Sequence, residues 1–126
     1  MDLKKTFATD RQKETGGVWV SLGEGAEVLV ARATNPKYRA ALAKFQKQFC
    51  GMKPDPQSSE FEKAVTYAMA EAVLLDWRGI AVGGENLEYS FDNAVSVLMD
   101  YPDFREAISR ISLDVDYYRP DEIVKK

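Results

Sequence analysis

The sequence predicts a mainly α fold (α+β), and three observations carry that prediction. Apolar side chains recur at helical spacing from Tyr38 onward. Ahead of them, Val18, Trp19, Val20 and then Val28, Leu29, Val30 form two β-prone runs around the turn Gly23, Glu24, Gly25. The chain has 126 residues, 45% hydrophobic and 29% charged, which suits one domain with one real core. The expected architecture is an N-terminal β-hairpin followed by about four helices packed around a central apolar helix, in a single domain 1–126.

Residues 1–16 are polar and run into Gly16 and Gly17, so they are expected to form a flexible arm. The hairpin occupies 17–33. Alone it would be marginal in water, so it must pack on helices or pair with another chain. The helical body is expected over 35–118. Asn35 can cap its first helix, Pro36 fits the first helical position, and Ala40, Ala41 and Ala43 favour the helix. Tyr38, Leu42, Phe45 and Phe49 make one stripe, with Lys37, Arg39, Lys44 and Lys47 largely outside it. Gly51 ends this helix, and a loop containing Pro54 and Pro56 follows.

The second helix is expected from Ser58 or Ser59 to about Trp77. Phe61, Val65, Ala68, Ala72 and Leu75 repeat with helical period, and Met69, Val73 and Leu74 widen the face. That width marks it as the central helix; of core and partner contact, Trp77 is expected to fill the core. Gly79, Gly83 and Gly84 then open a loop. Ser90 reads as the cap of a third helix that stops near Asp100. Pro102 opens a fourth, with Phe104, Ala107, Ile108, Ile111 and Val115 on one face. The polar tail 119–126 is expected to fray.

The chain contains no histidine, which removes the commonest general base and metal ligand. Its one cysteine, Cys50, falls at a predicted helix end, where nothing activates a thiolate. Asp114 and Asp116, two apart, would point away from each other on a helix. The stretch Asp76 to Gly84 lacks the Gly-Lys-Ser/Thr ending of a phosphate loop. No catalytic, cofactor-binding or metal-binding residue is therefore assigned, and a non-enzymatic protein is expected. No apolar run approaches the ~20 residues of a membrane helix, and the N-terminus lacks a secretory apolar segment. With the single cysteine, these features lead to an expected cytoplasmic location.

Charge is unevenly placed. Residues 1–59 hold ten Lys/Arg and six Asp/Glu, a balance of +4; residues 60–126 hold seven and fourteen, a balance of −7. Such asymmetry favours head-to-tail self-association or a charged partner. The basic face of the first helix has the cations for nucleic acid, but the net charge of −3 argues against that partner.

Two blocks resemble the tail assembly chaperones of long-tailed bacteriophages and prophages. One is Val30, Ala31, Arg32, Ala33, Thr34, Asn35, Pro36, Lys37, Tyr38, where that family passes from hairpin to helix. The other is Asp76, Trp77, Arg78, Gly79, then Gly84, Tyr89, Ser90, Asn93 and Ala94. The order and spacing extend the likeness over roughly 17–115. The resemblance implies a largely helical, self-associating protein that coats the tape measure protein, keeps it soluble and helps recruit tail tube subunits. It also implies a longer form made by a ribosomal frameshift, action in the host cytoplasm, and absence from the mature virion. The alternative is a structural neck or tail-completion protein retained in the virion. Candidate partner-binding residues are Trp19, Lys37, Arg39, Lys44, Lys47 and Tyr89. Trp19 serves either a partner or as a cap over the core.

Overall fold

The computed structural model describes residues 1–51 and 55–121. Two short helices, α1 (Leu3–Phe7) and α2 (Arg11–Gly16), precede the hairpin strands β1 (Val18–Gly23) and β2 (Ala26–Val30). Then come α3 (Pro36–Cys50), α4 (Ser59–Ala72), β3 (Leu74–Arg78), β4 (Ala81–Val82), β5 (Glu85–Asn86), α5 (Phe91–Asp100) and α6 (Pro102–Leu113). A 3-10 turn, Val115–Tyr118, follows α6. The fold is mainly α with small antiparallel sheets and an N-terminal hairpin, as the sequence predicts.

The helix starts follow local chemistry. The side chains of Asn35, Ser58 and Ser90 each accept a hydrogen bond from the backbone N–H three residues on, and Pro36 and Pro102 occupy first turns. Asn35 does more than cap. It is buried, and its amide donates to the carbonyls of Arg32 at 2.6 Å and Ala72 at 3.0 Å, tying α3 to the end of α4.

The second helix ends five residues earlier than the sequence predicts. At Val73 the backbone leaves the helix, and Leu74–Arg78 becomes a strand pairing antiparallel with β2, so Trp77 stands opposite Val28. The sheet order is β1-β2-β3. The hairpin, which needs further pairing, thus finds its third strand in its own chain. Val28 and Trp77 face inward, and Val20 beside them is half-buried. The expected loop after Gly79 contains a second small hairpin, in which Val82 pairs with Glu85. Gly83 and Gly84 both have positive φ, as its two-residue turn demands. The expected final helix face is cut short too, since α6 ends at Leu113 and Val115 belongs to the 3-10 turn.

The segment 1–16, expected as a flexible arm, carries two capped helices tied to the body. Glu14 and Arg32 form a part-buried ion pair at 2.7 Å, and the Glu14 carbonyl accepts from the Arg32 N–H. The Asp10 N–H donates to the Tyr118 carbonyl at 2.7 Å, and Lys13 pairs with Asp121. Local capping by Asp2 and Asp10, together with these long-range bonds, gives the segment its structure. Of the tail, Arg119 pairs with Asp116 at 3.0 Å, and 122–126 lie outside the described residues. So does the stretch 52–54 of the expected loop, Pro54 included.

The main core joins Val28, Val30, Val73, Leu74, Trp77, Leu98 and Ile108. The central helix α4 meets α3, α5 and β3. On the α3 side, Ala41, Ala64, Ala68 and Ala72 let the two helices approach, and Phe45 lies among them.

Candidate partner-binding surfaces

Trp19 lies on the outer face of the sheet, 36% exposed, opposite Leu29 on β2, which in turn stands opposite Asp76 on β3. The Arg78 guanidinium stacks 3.8 Å from its ring centroid, and Arg78 also reaches Glu27 at 3.6 Å. Trp19 therefore does not cap the core, whose sheet side is formed by Val28 and Trp77. It presents an aromatic surface flanked by a cation.

Lys37, Arg39, Lys44 and Lys47 are all exposed on α3, but they do not converge. At about 100° per residue, Lys37 and Lys44 fall within roughly 20° of each other, Lys47 lies opposite the buried stripe, and Arg39 takes the other flank. Lys44 is also engaged. Its ammonium bonds Glu71 at 2.6 Å and lies 4.6 Å from the centroid of Phe45. Both partners in that ion pair are largely exposed, so it contributes no more than about 1 kcal/mol.

Tyr89 is half-buried and pinned. Its hydroxyl donates to the Leu74 carbonyl at 2.7 Å, and its ring meets Trp77 edge-on at 5.1 Å. Burial, and secondarily the charge of Asp76, raise its phenol above the ordinary value. The Trp77 indole N–H donates to the Leu87 carbonyl at 2.8 Å. Together these bonds fasten the segment after β5 onto β3, a task internal to the fold. The aspartates have internal tasks as well: Asp114 accepts from the Asp116 N–H, capping the 3-10 turn.

One concavity was not legible in the sequence. A cleft of about 680 Å³ opens between the loops beside the sheet, which supply Glu24, Ala26 and Gly79–Gly83, and the α5–α6 corner, which supplies Val97, Tyr101, Asp103 and Phe104. Val82 and Tyr101 expose 39% and 46% of their surface there. One wall is fixed by backbone contact. A Cβ on Gly79 would lie 2.3 Å from the Gly25 carbonyl oxygen, and Gly79 has a φ of +69°, so only glycine lets the two loops touch. The cleft draws on four separated stretches of chain, none of which has a motif of its own.

Among the described residues, no group of three or more Cys, Asp or Glu side chains is placed to hold a metal ion, and no helix is long and apolar enough to cross a membrane. No curated protein and no solved structure matches the chain. The family model described as YdaY prophage protein matches residues 33–126, from the β2–α3 connection onward, and the chain belongs to that family.

Proposed function

From its place in a prophage family, we propose that this protein is a tail assembly chaperone that binds the tape measure protein, keeps it soluble and helps bring tail tube subunits to it. The observation that carries the reading is the open cleft with apolar walls beside α5 and α6. A tape measure chain presents apolar helical stripes before the tube encloses it, and stripes left exposed associate with one another. A groove that accepts such a stripe at spacings of three and four residues prevents this. Lys37 and Lys47, exposed and without the engagement of Lys44, attract acidic stretches of the same partner, and Trp19 offers an aromatic contact. The role is non-enzymatic, in the host cytoplasm, and the protein does not remain in the virion. Self-association through the basic and acidic halves, and a longer frameshifted form, belong to the same reading.

Co-expression tests it. The matching tape measure protein should stay soluble and co-purify with the chain. Equal precipitation with and without the chain overturns the proposal, as does recovery of this protein as a stoichiometric part of purified particles.

A further inference from the structure

The cleft has a charge signature that narrows its occupant. The charged residues lining it are Glu24, in the β1–β2 turn, and Asp103, in the first turn of α6. Both are exposed and both are acidic, and they come from its two different walls. Between them the surface is apolar: Ile80 and Phe104 are half-buried, and Val82 and Tyr101 form exposed lips. Asp103 has no ion-pair partner among the salt bridges of the described residues, and neither has Glu24. Nearby cations have partners of their own: Arg105, two residues from Asp103, pairs with Glu62 at 3.0 Å, and Arg78, next to Gly79, lies against Trp19 and Glu27.

We propose that this cleft is the docking site for one face of a cationic amphipathic helix, with apolar residues seated against Ile80, Val82 and Tyr101 and a Lys or Arg reaching Glu24 and Asp103. This deepens the chaperone reading and rests on it for the identity of the partner. The complementarity is of two kinds. Apolar side chains at spacings of three and four residues gain by leaving water in the groove. Flanking cations find acidic partners on both walls, which fixes the orientation and speeds encounter more than it adds affinity. An anionic helix would bring like charges against both walls. The surface thus selects the opposite charge to that attracted by the α3 lysines, so one long partner with alternating basic and acidic stretches engages both.

The probe is a pair of fluorescein-labelled 14-residue helical peptides with identical leucine stripes, one carrying lysines on its polar face and the other glutamates. Fluorescence anisotropy on the full chain should show the lysine peptide bound at least tenfold more tightly. The double variant Glu24→Lys, Asp103→Lys should reverse that preference, and Val82→Asp should weaken both peptides. Circular dichroism confirms that these surface variants fold. Equal binding of the two peptides, absence of binding, or a preference that survives the double charge reversal overturns the assignment. The chaperone reading is separable. If the tape measure protein stays soluble with the charge-reversed variant as with the native chain, the chaperone reading stands and the charge selection by Glu24 and Asp103 falls.

Discussion

The sheet side and the α3–α4 corner bury apolar surface in different ways. On the sheet side, Trp77 and Tyr118 are enclosed, half-buried Tyr89 packs against Trp77, and their polar atoms are bonded: Trp77 to Leu87, Tyr89 to Leu74, and Tyr118 to the Val30 carbonyl at 3.1 Å. In the α3–α4 corner, buried alanines and Phe45 form the floor and the other aromatics stand at the rim. Phe49 and Tyr67 meet edge-on at 4.8 Å, Phe91 is 36% exposed, and the Lys63 ammonium lies 4.5 Å from the Phe49 ring centroid. The first arrangement combines enclosed area with satisfied polar groups, so losing one member leaves both a cavity and an orphan. The second trades depth for a surface that remains partly wet, so losing one ring costs less. Both regions are apolar by composition, and the difference is in enclosure.

The largest effect should come from Trp77→Ala. Loss of an enclosed indole and of its bond to Leu87 should cost about 3–5 kcal/mol, read as a shifted urea midpoint. A change below about 1 kcal/mol would erase the distinction between the regions. Gly79→Ala should follow, at about 2 kcal/mol or more, since a left-handed backbone and the clash with Gly25 act together. Thermal unfolding would measure it, and an unchanged melting temperature would mean the two loops separate freely. Phe49→Ala, on the other side, should cost only about 1–2 kcal/mol, because a half-exposed ring recovers part of the transfer energy of a buried one. If it matches Trp77→Ala, the corner is enclosed in solution.

The smallest effect is a pH dependence. Burial raises the phenols of Tyr38, Tyr89 and Tyr118 above their ordinary value near 10, with Asp76 adding to the rise at Tyr89. The folded state therefore holds these protons more tightly than the unfolded chain. Their contribution to stability is constant below pH about 10 and declines as the pH climbs past it. Unfolding midpoints at pH about 9 and about 11 should differ, and Tyr118→Phe should reduce the difference.

What the sequence made legible is what depends on neighbours in the chain. Asn35, Ser58, Ser90 and Pro102 announce their helices because a cap or a first-turn proline works within three residues. β3 was hidden because Leu74, Leu75 and Trp77 continue the apolar pattern of α4; a short buried strand and a helix end look alike by periodicity. What separates them is the unfilled edge of β2, a tertiary fact. Tyr118 was hidden for a similar reason. It and Tyr117 are identical neighbours in a polar stretch, yet one is fully enclosed and the other 40% exposed. Of the candidate site, Trp19 and the exposed α3 lysines could be named, but Tyr89 has an internal structural task and the cleft required the assembled fold.

The bond between Tyr118 and Val30 also has a consequence in time. It joins residues 88 positions apart, and beside it Arg119 donates to the Thr6 carbonyl across 113 positions. During synthesis the hairpin leaves the ribosome long before these partners do. Contacts of such sequence separation close slowly, since a long loop must be ordered before they reward it. Until Tyr118 emerges, the first strands lack the buried ring and the hydroxyl donor that it brings to Val30. Residues made late therefore complete the packing of residues made early, and a nascent chain halted short of Tyr118 exposes the sheet it has already begun.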